Sequence, residues 1–352
     1  MDAIYGGGDT FPDLTQTPSM NSDSLEVVAD LDYPPGNISV SNEGRIFFTF
    51  HPEAKPPINI AELVDGKAVP FNIPSEVNLS SVLSLRVDRQ NRLWLLDFAE
   101  HGMKTPQIVA IDLTTVKLVH HFEFPSEIAG MGSHLNDFQV SHDGKFIYIA
   151  DASILRKNPA LIIYDVEHKT ARRLLEDHDS VTPDYFVPVV DDEKMLIFGV
   201  FAIRPGIDSI ALDRQEKWLY FAPVTDTYLH RIAINDLHNQ DLSQEQLAER
   251  VEAFAKKSMS DGITTDDAGN IYISDLEHRA INRISSEGKF ETLLQDPKLR
   301  WPDGFSFGPD GWLYVTNSAL NVVIGKPNSY ILENGPFQIV RFKPDAHAYP
   351  GH

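Results

Sequence analysis

The stretch Ser260-Asp261-Gly262-Ile263-Thr264-Thr265-Asp266-Asp267-Ala268-Gly269-Asn270-Ile271-Tyr272-Ile273-Ser274-Asp275 decides the fold. An Asp opens a short alternating strand, an Asp/Gly-rich turn reverses it, and an apolar strand returns; this is the pattern of a β-hairpin. Five further stretches repeat it. Asn37 opens a strand that turns at Gly44 and returns as Arg45-Ile46-Phe47-Phe48. Ser84 leads through Asn91 to Leu93–Asp97, and Asn136 through Gly144 to Phe146–Asp151. Asp208 leads to Trp218–Phe221, and Asp303 through Gly311 to Trp312–Asn317. The six openers lie 47, 52, 72, 53 and 42 residues apart. A strand-built period of about 40–50 residues marks the blades of a propeller. The sequence therefore predicts an all-β fold, a six-bladed β-propeller of four-stranded antiparallel blades.

The segments between the hairpins fill in the blades. Ser24 to Leu31 alternates like a strand yet precedes the first opener, so Leu25–Leu31 is expected as the outermost strand of the last blade. That closes the ring and removes a sheet edge. The long gap before Asp208 holds an extra hairpin, Tyr185–Val190 and Lys194–Val200, turning at Asp191-Asp192-Glu193. One helix is predicted, Ser243–Phe254, inserted in blade four. Ser243 with Glu245 and Gln246 suits its N-terminus, and Leu247, Val251 and Phe254 share a face. Residues 1–23 read as a flexible Gly/Ser/Thr/Pro-rich tail, 24–345 as one propeller domain and 346–352 as a C-terminal tail.

Composition narrows the function. The chain has 352 residues, 42% apolar, with a formal net charge of −21. Such a surface repels phosphate backbones and anionic lipid, so neither nucleic acid nor a membrane surface is an expected partner. A small molecule is the expected ligand, and no protein partner is read from the sequence. There is no Cys, so there is no disulfide or thiolate chemistry. No apolar run approaches the roughly 20 residues that span a bilayer, and the first residues lack a signal-peptide pattern. A soluble protein is expected, cytoplasmic as the chain stands and exported if a signal has been removed.

In a propeller the first strand of each blade lines the central channel. The openers Asn37, Ser84, Asn136, Asp208, Asp261 and Asp303 should therefore ring one mouth, with Asp97, Asp151, Asp275, Asn317, His101, His134 and His278 on the same face. Converging Asp and Asn oxygens suit a hard divalent cation, Ca²⁺ first and Mg²⁺ second. Asn136, Asp208 and Asp261 are the candidate ligands. Without a cation, Asp208, Asp261 and Asp303 repel one another and at least one takes up a proton. Asp261 and Asp303 are the candidates to activate water. Asn37, His101, His134, His278 and Trp301 are candidate substrate contacts. Against this stands the plain preference of Asx residues for turns and strand starts.

A family resemblance rests on Asn91–Asp97 with Val109–Leu118, on Tyr148–Asp151 with Ala160–Asp165 and Ala171–Arg173, on Trp218–Ala222 with Leu229–Ile232, and on Ser260–Ile263 and Trp301–Phe305. In order, these stretches resemble the Yellow / major royal jelly protein family over roughly residues 30–345. The resemblance implies a six-bladed propeller, as in bacterial members, related in architecture to the gluconolactonase / regucalcin group. In that group a divalent cation at the channel mouth serves sugar-lactone hydrolysis. Its ligands are a Glu opening the first blade, Asn residues opening the third and fourth, and an Asp opening the fifth. Here those places hold Asn37, Asn136, Asp208 and Asp261; Asn37 for Glu removes a charged ligand. The resemblance thus implies a cation-dependent lactone or ester hydrolase. The alternative is a non-enzymatic propeller whose acidic mouth holds an amine, with Trp301 stacked on it.

Overall fold

The hairpins build six four-stranded antiparallel sheets. The computed structural model describes residues 10–155, 158–197 and 199–351. Blade one comprises Pro35–Val40, Ile46–Phe50, Ile60–Val64 and Lys67–Pro70; blade two Val82–Val87, Arg92–Asp97, Gln107–Asp112 and Lys117–Glu123. Blade three comprises Leu135–Val140, Phe146–Asp151, Ala160–Asp165 and Thr170–Leu174; blade four Ile207–Leu212, Trp218–Pro223, Tyr228–Ala233 and Glu252–Lys256. Blade five comprises Ile263–Thr265, Ile271–Asp275, Ala280–Ile284 and Phe290–Gln295. Blade six takes Pro302–Phe307, Leu313–Asn317 and Phe337–Phe342, and its outermost strand is the N-terminal Glu26–Leu31. That strand pairs antiparallel with Phe337–Phe342, so the two ends of the chain close the ring as the orphan strand predicted.

Burial follows the layering. The inner and second strands of each blade are buried along almost their whole length, because each sheet is covered by a neighbour on both faces. Outermost strands such as Lys117–Glu123 are buried far less and carry the polar residues. Blades meet closely near the channel. A Cβ on Gly262 would lie 1.5 Å from the Asp303 carbonyl oxygen, so only glycine lets the fifth and sixth inner strands approach there. Across the other seams, Thr49 Oγ1 donates to the Leu83 carbonyl at 2.7 Å and Thr265 Oγ1 to that of Leu212 at 2.7 Å.

The inner strands are not regular at their starts. In five blades the register with the second strand slips at or next to the opener: between Pro35 and Ile38, Val82 and Ser84, Leu135 and Phe138, Ile207 and Ser209, and Pro302 and Phe305. A bulge of this kind re-aims side chains and ends the pairing. In blades one, three, four and six the irregularity spans the opener; in blade two it falls just before Ser84, and blade five has none.

Three expectations change. The helix is only Gln244–Ala248, capped by reciprocal bonds between Ser243 and Gln246. Residues Glu252–Lys256 are instead the outermost strand of blade four, because pairing with Tyr228–Ala233 satisfies their backbone where a lone helical turn would not. The extra hairpin is two shorter ones, Val189–Val190 with Glu193–Lys194 and Leu196–Ile197 with Phe201–Ala202. Buried Met195 pins the chain between them, its N–H bonded to the Pro188 carbonyl at 2.8 Å. The stretches read as tails are laid on the fold over their described parts. Ser19 and Met20 donate to the Thr292 and Leu293 carbonyls on the outer edge of blade five, and Phe11 is buried edge-on to Phe186. Residues 346–351 cross the mouth opposite the openers: the Gly351 carbonyl accepts from Ser39, Tyr349 stacks under Arg89, and Asp267 donates to His347.

Candidate functional site

The bulged strand starts frame a cavity of about 240 Å³ at the channel mouth, and all six openers line it. Its floor is acidic. Asp208 and Asp261 are hydrogen-bonded carboxyl to carboxyl, and Asn136 Nδ2 donates to Asp208 Oδ1. Trp301 donates its indole N–H to Asp261 Oδ2 at 2.5 Å, and Ser318 Oγ donates to Asp303 Oδ2 at 2.7 Å. Burial holds Asp208 and Asp303 well above the usual carboxylate range, and the Asp261 charge adds to this for both. Burial raises Asp261 as well, opposed by the Trp301 hydrogen bond. Two carboxyls in contact cannot both ionise cheaply, so the floor shares protons.

One side of the floor carries a fixed cation. Arg86, 4% exposed, donates through Nη2 to both Asp137 oxygens at 2.8 and 2.9 Å, and through Nη1 to Asn37 Oδ1 and the Leu85 carbonyl. Its Nε, also buried, has no partner among the described residues. Sequence reasoning missed this pair. The signal for Arg86 was present: it stands two residues after Ser84, hence on the same face of the strand. Asp137 carried no signal, because strict alternation would send it away from Asn136. The bulge at Leu135–Phe138 brings both into the cavity.

The wall over blades one to three is built of imidazoles. His101 and His134 meet Nδ1 to Nδ1 at 3.0 Å, so one ring donates to the other, and His101 Nε2 lies 3.5 Å from Glu53 Oε1. His51 completes the wall. Burial lowers His134 to about 3 and His51 to about 4, so both are neutral imidazoles near pH 7. The hydrogen bond from His101 lowers Glu53, which is a carboxylate. His101 reaches the cavity through a left-handed turn: Ala99, Glu100 and His101 have φ of 54, 53 and 59°, and Gly102 has 69°. Such backbone costs about 1–2 kcal/mol per non-glycine residue. It is held by Asp97 Oδ1 accepting from Ala99 N at 2.9 Å and Ser81 Oγ accepting from Glu100 N at 2.7 Å. Above floor and wall the cavity is an apolar sleeve of Ile154, Leu155, Met195, Ile197, Ile203 and Leu320.

A sequence profile of the major royal jelly proteins matches residues 80–344. The chain belongs to the major royal jelly protein family. Among curated royal jelly proteins, it is 26% identical to major royal jelly protein 1 of Apis mellifera over 182 residues, 47% of this chain and 40% of that one. It is 28% identical to major royal jelly protein 3 of the same species over 178 residues, 47% and 31% of the two chains. The chain thus spans less than half the length of these relatives. Among solved structures, a luciferin-regenerating enzyme superposes with a TM-score of 0.60 at 12% identity, over 93% of this chain and 97% of that one. A gluconolactonase from Xanthomonas campestris gives 0.57 at 13%, over 95% and 97%. The calcium-binding protein regucalcin from Agrobacterium tumefaciens gives 0.55 at 15%, over 92% and 96%. At these identities the likeness is one of fold.

Within this royal jelly family propeller, Asn37, His101, His134, Asn136, Asp208, Asp261, Trp301 and Asp303 are brought into one cavity. His278 is not. It turns to Asp275, 2.9 Å from Nδ1, and to Asp13, 3.5 Å from Nε2, outside the channel. Asp97, Asp151 and Asp275 are buried locks for the top loops, accepting backbone N–H groups of Ser80, Ser81, His134, Ser153 and His278. The calcium ligand set fits this arrangement poorly. Asn37 Oδ1 already accepts from Arg86, and the oxygens of Asp208 and Asp261 face each other, Asn136 and Trp301. Among the described residues no three His, Asp or Glu side chains are placed to hold a metal ion. No described helix is long and apolar enough to cross a membrane.

Proposed function

We propose that this propeller binds a small organic cation, a protonated amine on an apolar body, in the channel mouth. The observation that carries the reading is three converging carboxyl groups, Asp208 buried and Asp261 and Asp303 half-buried, under an apolar sleeve, with Arg86 already committed to Asp137 and Asn37. An ammonium seated on Asp208, Asp261 and Asp303 relieves their repulsion and supplies donors to oxygens that otherwise share protons. The sleeve takes an aliphatic or aromatic body; it offers few partners to the hydroxyls of a sugar lactone. Trp301 is fixed at the floor by its bond to Asp261 and presents its ring edge or face to the ligand.

Lactone or ester hydrolysis is the second reading, favoured by the convergence of Asn136, Asp208 and Asp261 at the mouth. Titration calorimetry separates the two. Under the amine reading phenethylamine binds saturably, its neutral isostere 2-phenylethanol binds at least about tenfold more weakly, and EDTA changes neither. Equal binding of amine and alcohol would end it; hydrolysis of a lactone that stops on adding EDTA would favour the second.

A further inference from the structure

A second cleft of about 290 Å³ opens on the same face, between blades five and six, lined by Lys298, Arg300, Asn317, Phe337 and Gln338. Asn317 ends the second strand of its blade, the place that Asp97, Asp151 and Asp275 hold in blades two, three and five. Each of those three is tied down. Asp97 accepts from three backbone N–H groups, Asp151 from two and from Arg173, and Asp275 from His278 N and Asn282 Nδ2. Asn317 is 2% exposed, and neither its Oδ1 nor its Nδ2 has a hydrogen-bond partner among the described residues. A buried carboxamide left wholly unpaired destabilises the fold unless something else pairs with it. The neighbours say what. Arg300 is held through Nη1 by the Asn334 carbonyl at 3.0 Å and the Pro336 carbonyl at 3.4 Å, both neutral, and Lys298 reaches Asp296 only at 3.8 Å. In a chain of net charge −21, this cleft pairs two cations with one donor-and-acceptor amide.

We propose that the cleft is a second ligand site, for a small hydroxycarboxylate. Arg300 and Lys298 face the carboxylate, and the adjacent hydroxyl both donates to Asn317 Oδ1 and accepts from Nδ2. The site is separate from the channel but shares a wall with it. Arg300 and Ala319 line the cleft, while the next residues, Trp301 and Leu320, line the channel cavity. Two backbone bonds clamp that wall, Ala319 N to the Arg300 carbonyl at 3.0 Å and Ser318 N to the Trp301 carbonyl at 3.1 Å. Ligand in the cleft is therefore sensed by the indole that holds Asp261.

The test uses glycolate and acetate as probes, read by ligand-observed NMR and by tryptophan fluorescence on the whole chain. Glycolate is expected to saturate the wild type and to bind about tenfold more tightly than acetate, which lacks the hydroxyl. Asn317→Leu is expected to erase that difference while melting at or above the wild-type temperature, since it removes an unpaired buried group. Lys298→Gln, at an exposed position, is expected to weaken both anions severalfold without changing their ratio. Glycolate and acetate binding equally, or neither binding saturably at tens of millimolar, would overturn the proposal and leave Asn317 solvated by water alone. An undiminished glycolate preference in Asn317→Leu would overturn it equally.

Discussion

Replacing Asp261 by Asn probes the acidic floor with little change of shape. The carboxamide oxygen still accepts from Trp301 Nε1, and the new NH₂ donates to Asp208 where the wild-type pair shares a proton. Two effects of opposite sign follow. An ammonium within about 4 Å of a carboxylate gains about 4 kcal/mol at an effective dielectric constant of 20, most of it offset by desolvation. The net value of a charged hydrogen bond is about 1.5–3 kcal/mol, so the amine dissociation constant should rise about 10- to 150-fold. Stability without ligand should move the other way. Asp261 raises the proton affinity of Asp208 and Asp303, and each pKa unit returned is about 1.4 kcal/mol at a pH where they ionise. A gain of about 1–2 kcal/mol at pH 8 is expected, visible as a melting point higher by a few degrees. Calorimetric titration with phenethylamine and a melting curve on the same samples measure both. Affinity and stability falling together, or affinity unchanged, would show that Asp261 is a packing residue and not an amine ligand.

Four other outcomes are expected. Because Asp208, Asp261 and Asp303 are raised in the folded state, they favour the fold at low pH, and that contribution is lost as pH rises through their folded values. Amine affinity should therefore increase as pH rises toward the raised folded values of these carboxyls, with proton release seen as a buffer-dependent heat, level off above them, and fall when the amine itself deprotonates near about 10. His134 and His51, lowered to about 3 and about 4, act oppositely: they favour the fold above the ordinary imidazole pKa of about 6.5 and lose that contribution as pH falls. Arg86→Met strands the buried Asp137 carboxylate and should cost about 3–5 kcal/mol in a denaturant melt, with the double change Arg86→Met/Asp137→Leu recovering most of it; a silent single variant would contradict the pairing. Removing residues 1–31 opens the last blade and exposes the sites of Leu25 and Leu31, worth about 1.5–3 kcal/mol each. Loss of a single cooperative unfolding transition is expected, and an unchanged melt would refute closure by that strand.

The blade repeat was legible because an opener, a turn and an apolar return strand leave a local pattern six times over. Ring closure was legible from one strand without a blade. The floor was legible too, since the first strand of each blade lines the channel and its opening residue stands at the mouth. What the sequence hid is what local pattern does not control. Asp137 enters through a bulge, an irregularity of register set by the partner strand. His51 and Glu53 come from the loop after a second strand, and His101 rides on a left-handed turn that Asp97 and Ser81 hold in place from elsewhere. Glu252–Lys256 reads equally as helix or strand over five residues, and only the unpaired edge of Tyr228–Ala233 decides it. Arg86 is the one omission with a visible signal, and it bears directly on the metal expectation.

The most direct measurement is a crystal structure with 4-bromophenethylamine, using bromine anomalous scattering. The bromine peak is expected in the apolar sleeve near Met195 and Leu320, with the amine nitrogen about 3 Å from carboxyl oxygens of Asp208, Asp261 or Asp303. Bromine outside the channel, or a metal-type peak at Asn136, Asp208 and Asp261 in crystals grown with calcium and amine together, would contradict it.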